Sequence, residues 1–141
     1  MTDWPRIRSV GLSGLLVTFA EKMSEPANRA ALAFRAAVEE QDWPEVSETS
    51  TSLVSTFVQF EVSQEAITTM TDRLCGLLET RDWFAEALPA GRSLWHVPTV
   101  YGTDLAPQLE EAAEAAGLDP DAALAELSQA RVRVLPLGVA P

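Results

Sequence analysis

With 141 residues, 47% hydrophobic content and a formal charge of -11, the chain has apolar mass for one ordinary core and a field that repels phosphate backbones and anionic lipid. Lys22 is the single lysine and the arginines are scattered, so no basic stripe overrules that field; the expected partners include no nucleic acid and no membrane. Cys75 is the lone cysteine, which excludes an intrachain disulfide, and neither a secretory apolar region behind Asp3 nor a bilayer-length apolar run occurs, so the expected location is cytoplasmic.

The pattern predicts a hairpin first. Arg6 to Val10 reads as a short strand, Gly11 to Gly14 as turn chemistry, and Leu15, Val17 and Phe19 as the alternate residues of a second strand. Ser24 is placed to cap a helix with Glu25 and Pro26 in its first turn, and Ala27, Ala31, Phe34 and Val38 then form a stripe that faces a sheet. Asp42-Trp43-Pro44 ends that helix near Gln41. A second strand pair is expected from Val46 to Thr49 and from Leu53 to Glu61, the longer strand carrying apolar residues on both faces as an interior strand does. Ser63 is the expected cap of a second helix that turns Ile67, Met70, Leu74 and Leu77 inward, with Cys75 and Leu78 beside them, so Cys75 is expected to be buried and inert. From Trp83 to Ser93, proline, glycine and the absence of a period read as a linker.

A short repeat runs through this region. Asp-Trp occurs at Asp3-Trp4, Asp42-Trp43 and Asp82-Trp83, about one strand-strand-helix unit apart. Tryptophans that plug helix ends in a pseudo-symmetric sandwich are favoured over a repeated contact surface, because packing is the usual work of large aromatics. Two helices on one antiparallel sheet make residues 1–92 a ferredoxin-like two-layer sandwich, so the fold class is α+β.

Residues 93–141 read as strand, helix, helix, strand. Leu94 to Tyr101 looks extended, with Pro98 confining it to an edge or bulge, and Tyr101-Gly102-Thr103 turns the chain. Pro107 suits a helix first turn, Leu109, Ala112, Ala113 and Ala116 form an apolar face, and Gly117 closes the helix. Asp119-Pro120 starts the next helix, which is expected to carry Ala123, Leu124 and Leu127 inward, and Arg131 to Leu137 is a strand with one charged face. A strand there needs neighbours for its backbone hydrogen bonds, so the sequence reads as part of a larger unit.

Chemistry is sparse. The sequence holds no glycine-rich phosphate loop and no Cys/His metal spacing, so no metal site and no catalytic residue are assigned. His96 is the only histidine, and beside Trp95 on an extended segment it reads as structural or exposed. Glu110, Glu111 and Glu114 read as the solvated face of a helix before they read as a partner-binding ridge. Tyr101 and Gly102 are the best binding candidates, since the turn exposes backbone donors, and a purely structural turn stands beside that reading.

The run VPTVYGTDLAPQLEEAAEAAGLDPDAALAELSQARVRVLPLGVAP resembles the allophanate hydrolase subunit 1 family, which includes the B subunit of 5-oxoprolinase and the bacterial sporulation-kinase inhibitor. Val97-Pro98, Tyr101-Gly102, Pro107, Leu109-Glu110, Gly117-Leu118, Pro120, Val134, Leu137-Gly138 and Pro141 fit the family pattern in order and spacing. The earlier residues match more loosely, through the opening hairpin, the first helix and the strand beginning at Ser52. Four positions depart: Thr103 stands where the family has a second glycine, Leu127 where it has a histidine, Val132 where it has an aromatic and Val139 where it has a phenylalanine.

The resemblance implies that residues 93–141 begin a cyclophilin-like barrel that the family continues beyond Pro141, and that the binding candidates are Tyr101, Gly102 and Gly138. It also implies a second hydrolase subunit as partner, of the allophanate hydrolase subunit 2 type or like the C subunit of 5-oxoprolinase. The reaction of the intact complex would then be cleavage of an amide-type C–N bond, in allophanate or, driven by ATP as the complex's cofactor, in 5-oxoproline; this chain itself would hold no cofactor and would be inactive alone. A different class of function is a non-catalytic regulator that binds and inhibits a sensor histidine kinase, as one branch of the family does. A third is an interaction domain that has kept the fold and lost both roles.

Overall fold

The computed structural model describes residues 4–61 and 66–135. They fall into two compact units, one within Met1–Arg92 to which Leu135 also belongs, and one spanning Ser93–Val134.

In the first unit, alternation becomes pairing. Strands β1 (Arg6–Val10) and β2 (Gly14–Thr18) form an antiparallel hairpin in which Ile7 faces Val17 and Ser9 faces Leu15. Helix α1 (Glu25–Glu40) follows, then β3 (Val46–Thr51), β4 (Ser55–Phe60) and helix α2 (Ala66–Leu78). The sheet order is β1-β2-β4-β3 with every neighbouring pair antiparallel, so β2 and β3 run the same way and flank β4. This is two strand-strand-helix units side by side, with the second strand of each at the centre. The expected interior strand is therefore interior, and its Val58 and Phe60 join Leu15, Val17 and Phe19 against both helices in one buried cluster.

Local chemistry explains the boundaries. The Ser24 hydroxyl accepts from the Ala27 N–H at 3.4 Å, and Pro26 occupies the first turn, where its missing N–H costs nothing. Two buried side chains donate to backbone carbonyls: Thr56 Oγ1 to Ala31 O at 2.7 Å, and Asn28 Nδ2 to Leu53 O at 2.6 Å, while Asn28 Oδ1 has no hydrogen-bond partner among the described residues. At Gly14 a Cβ would lie 2.5 Å from Phe57 Cε2 and 2.8 Å from Val10 O, so only glycine lets that ring lie on the hairpin. The Ser63 cap lies outside the described residues.

Two of the three repeated tryptophans, Trp43 and Trp83, pack against the core. Trp83 is buried, its ring meets Phe34 edge-on at 5.0 Å, and its Nε1 donates to Leu78 O at 2.9 Å, closing the end of α2. Trp43, just past α1, lies half-buried against the same core. Each of the three repeated tryptophans also carries an arginine over its ring: Arg6 on Trp4 at 4.4 Å, Arg73 on Trp43 at 5.6 Å and Arg81 on Trp83 at 5.0 Å.

Several expectations are corrected. Cys75 is exposed, because turning Met70, Leu74 and Leu77 inward rotates the next residue about 100° out of the core. Strand β3 extends to Thr51, and Leu53 stands exposed in the turn rather than within β4. The expected linker opens with a turn of 3-10 helix, Trp83–Ala85, which the Asp82 carboxylate caps at the Phe84 N–H.

In the second unit, helices α3 (Leu109–Ala116) and α4 (Pro120–Gln129) form a pair. Gly117 takes φ +69° and closes α3, its N–H donating to Glu114 O, and Asp119 Oδ1 accepts from Ala122 N–H at 2.9 Å to open α4. Leu94 to Tyr101 and residues 131–135 are not strands, since no other strand pairs with them among the described residues. Leu124 and Leu127 do not point into a core either: of the described apolar residues in this unit only Ala113 and Ala123 are buried, because α3 offers α4 an alanine surface with room for small side chains alone.

Candidate functional site

Tyr101 and Gly102 line a concavity in the second unit. Gly102 has φ +66°, and a Cβ on it would approach Leu109 Cδ2 to 2.9 Å, so the turn lies tight against the start of α3. The Ala106 N–H donates to Thr103 O at 2.8 Å, and the Leu105 N–H donates to Thr103 Oγ1 at 3.2 Å, which folds the chain back toward the helix. Leu127 of α4 supplies the far wall. The result is a shallow pocket of about 180 Å³ lined by Tyr101, Gly102, Ala106, Gln108, Leu109, Ala112 and Leu127.

Its lining decides its chemistry. The Tyr101 hydroxyl and the Gln108 amide are the only side-chain polar groups, and no carboxylate, imidazole or thiol lines it. Such a surface offers apolar contact and two polar side chains, and no group to take up a proton at neutral pH. The volume lies below the roughly 300–1,000 Å³ of small-molecule sites, so it matches one side chain or a small apolar group.

The remaining candidates lie apart from it. His96 is exposed and makes no hydrogen bond among the described residues, and Glu110, Glu111 and Glu114 are exposed. Gly138 lies outside the described residues. No group of three or more His, Cys, Asp or Glu is placed to hold a metal ion, and no helix is long and apolar enough to cross a membrane, both among the described residues.

Gln108, Leu109, Ala112 and Leu127 are site residues that motif reading did not single out for binding. Leu109 and Ala112 could have been found as the i, i+3 pair closest to the Tyr-Gly turn. Leu127, read as a core residue, is 49% exposed at the pocket.

Comparison with known proteins gives these features a lineage. Over its whole length the chain is 28% identical to the B subunit of 5-oxoprolinase from Bacillus subtilis (strain 168), and it spans 62% of that relative's length. A crystal structure of a conserved uncharacterized protein from Pyrococcus horikoshii is similar over 89% of this chain and 56% of that one, at 22% identity and a TM-score of 0.47. The family model described as carboxyltransferase domain, subdomain C and D, matches residues 5–141, nearly the whole chain, and the chain belongs to that family.

Proposed function

We propose that this chain is part of an amide (C–N bond) hydrolase component, of the allophanate hydrolase subunit 1 type or like the B subunit of 5-oxoprolinase. The observation that carries the reading is the match to a 5-oxoprolinase subunit across all of this chain, within a family match over residues 5–141. In this reading the partner is a second subunit resembling allophanate hydrolase subunit 2 or the C subunit of 5-oxoprolinase, the complex is cytoplasmic, and ATP is its cofactor when 5-oxoproline is the substrate. This chain alone is inactive. Hydrolysis of an amide needs an activated nucleophile and donors for the developing oxyanion. The described residues offer an aliphatic pocket and an exposed histidine instead.

The proposal extends to architecture. Strand β2, α1, β3, β4 and α2 follow the ferredoxin-like order, and β1 supplies from the start of the chain the edge strand that this fold usually takes from its end. Residues 1–92 are accordingly a ferredoxin-like domain, and 93–141 begin a cyclophilin-like one.

The test is co-expression of the full-length protein with the second subunit, followed by assays of 5-oxoproline hydrolysis with and without ATP and of allophanate hydrolysis. Activity that needs both subunits is the expected result. Turnover by the isolated chain, or inactivity of the pair toward both substrates, overturns it. The alternative reading is a regulator that binds the helical domain of a sensor histidine kinase without catalysis. Inhibition of kinase autophosphorylation by a protein inactive toward both substrates would select it.

A further inference from the structure

The Tyr101–Leu127 pocket has acidic neighbours on each segment that builds it. Asp104 lies between Gly102 and Ala106, Glu110 and Glu111 lie between Leu109 and Ala112, and Glu126 adjoins Leu127. Helices α3 and α4 contain no lysine or arginine, and over Ser93–Val134 the two arginines that follow α4, Arg131 and Arg133, stand against seven acids. Apolar side chains stand in solvent beside these acids: Leu105 is 86% exposed and Leu124 37%. An apolar depression within a negative field has a definite complement.

We propose that this surface docks a basic segment of a partner protein, one aliphatic or aromatic side chain of the segment filling the pocket while flanking Lys or Arg residues face Asp104, Glu110, Glu111 and Glu126. The inference deepens the hydrolase-component reading above, on which it rests, by locating the partner's contact. Charge complementarity selects this occupant. A second copy of the chain would set acid against acid across the same face, an anionic membrane would be repelled, and a polar metabolite would find only one hydroxyl and one amide to bind.

Hydrogen exchange with two additions tests it: the second subunit, and a synthetic peptide of about fifteen residues with one leucine between lysine and arginine pairs. A peptide with glutamates in place of the cations is the control. Protection of residues 101–112 and 123–129 by the basic peptide is expected, with binding lost at high salt. Leu127→Glu should weaken binding at least about tenfold, as truncating a central apolar anchor does. Glu126→Lys, at an exposed position, should weaken it less without altering the circular dichroism spectrum. Equal binding of the acidic peptide, or no protection by the basic one, overturns the docking surface. If the second subunit is bound but leaves 101–129 unprotected, the placement fails and the hydrolase-component reading stands. If the second subunit is not bound at all, that reading fails, and the peptide alone decides whether the surface recognises basic segments.

Discussion

The unit within Met1–Arg92 and the unit Ser93–Val134 both carry two α-helices, yet they use them differently. In the first, α1 and α2 lie on a sheet and bury phenylalanine, leucine and valine together with Trp83. In the second, α3 and α4 bury only Ala113 and Ala123 among the described apolar residues, and Trp95 stands 81% exposed. Amphipathic helices gain most of their stability from an apolar layer that accepts them. A sheet supplies that layer in the first unit, whereas the second has two extended segments that pair with nothing among the described residues. Its apolar side chains are left in solvent as a result.

Mutations should separate the units. Phe34 is fully buried, 5.6 Å from the Phe19 ring and 5.0 Å from Trp83, so Phe34→Ala removes the centre of the first core and should cost about 3–5 kcal/mol. Denaturant unfolding followed by far-ultraviolet circular dichroism measures it, and a loss under about 1 kcal/mol would mean that this core is not the closed one described. Gly14→Ala should cost about 1–3 kcal/mol, because the new methyl meets Val10 O at 2.8 Å and the backbone cannot yield as the Phe57 ring can. Asp119→Ala should cost about 1 kcal/mol, confined to α4, since the cap serves Ala122 N–H and nothing in the first unit. Hydrogen exchange should accelerate over 120–129 alone; faster exchange in α1 as well would erase the distinction between the units.

What was legible in the sequence follows the same division. Ser24 and Asp119 act through their side chains and Gly117 through its positive φ, each within four residues of itself, so these ends were readable, whereas Pro107, expected in the first turn of α3, lies before its N-cap Gln108. Alternation placed Leu15, Val17 and Phe19 on the buried face, whereas the reading of the longer strand as apolar on both faces did not separate the buried Val58 and Phe60 from the half-buried Phe57. The errors fall where the partner surface decides. Cys75 and Leu78 border the same stripe, and periodicity does not say which flank the core covers. Leu124 and Leu127 have the spacing of a core face, but the facing helix carries alanines and leaves them at the surface. Strands proposed over Leu94–Tyr101 and from Arg131 depend on pairing from elsewhere, a non-local condition that propensity does not record. At the pocket, the Tyr-Gly turn was readable and its far wall was not, since Leu127 arrives from another helix.

The smallest expected effect lies at the edge of the first unit, where Arg73 of α2 donates to both carboxylate oxygens of Glu45, at 2.9 and 3.3 Å, while its guanidinium covers Trp43. The hydrogen bonds from Arg73 hold the Glu45 carboxyl below its ordinary value of 4.5. A folded-state value below the unfolded one means that the pair contributes stability above the unfolded value and loses it as pH falls through the folded one. Glu45→Gln should therefore lower the melting temperature slightly at pH 7, and the gap from the parent protein should close in acid below the usual carboxylate range. Both side chains are partly exposed, at 35% and 47%, so solvent screening keeps the gap small and added salt should narrow it further at neutral pH. Melting curves at the two pH values check the sign: a gap that persists in acid would assign the stabilisation to Arg73 stacking on Trp43 and not to the ion pair.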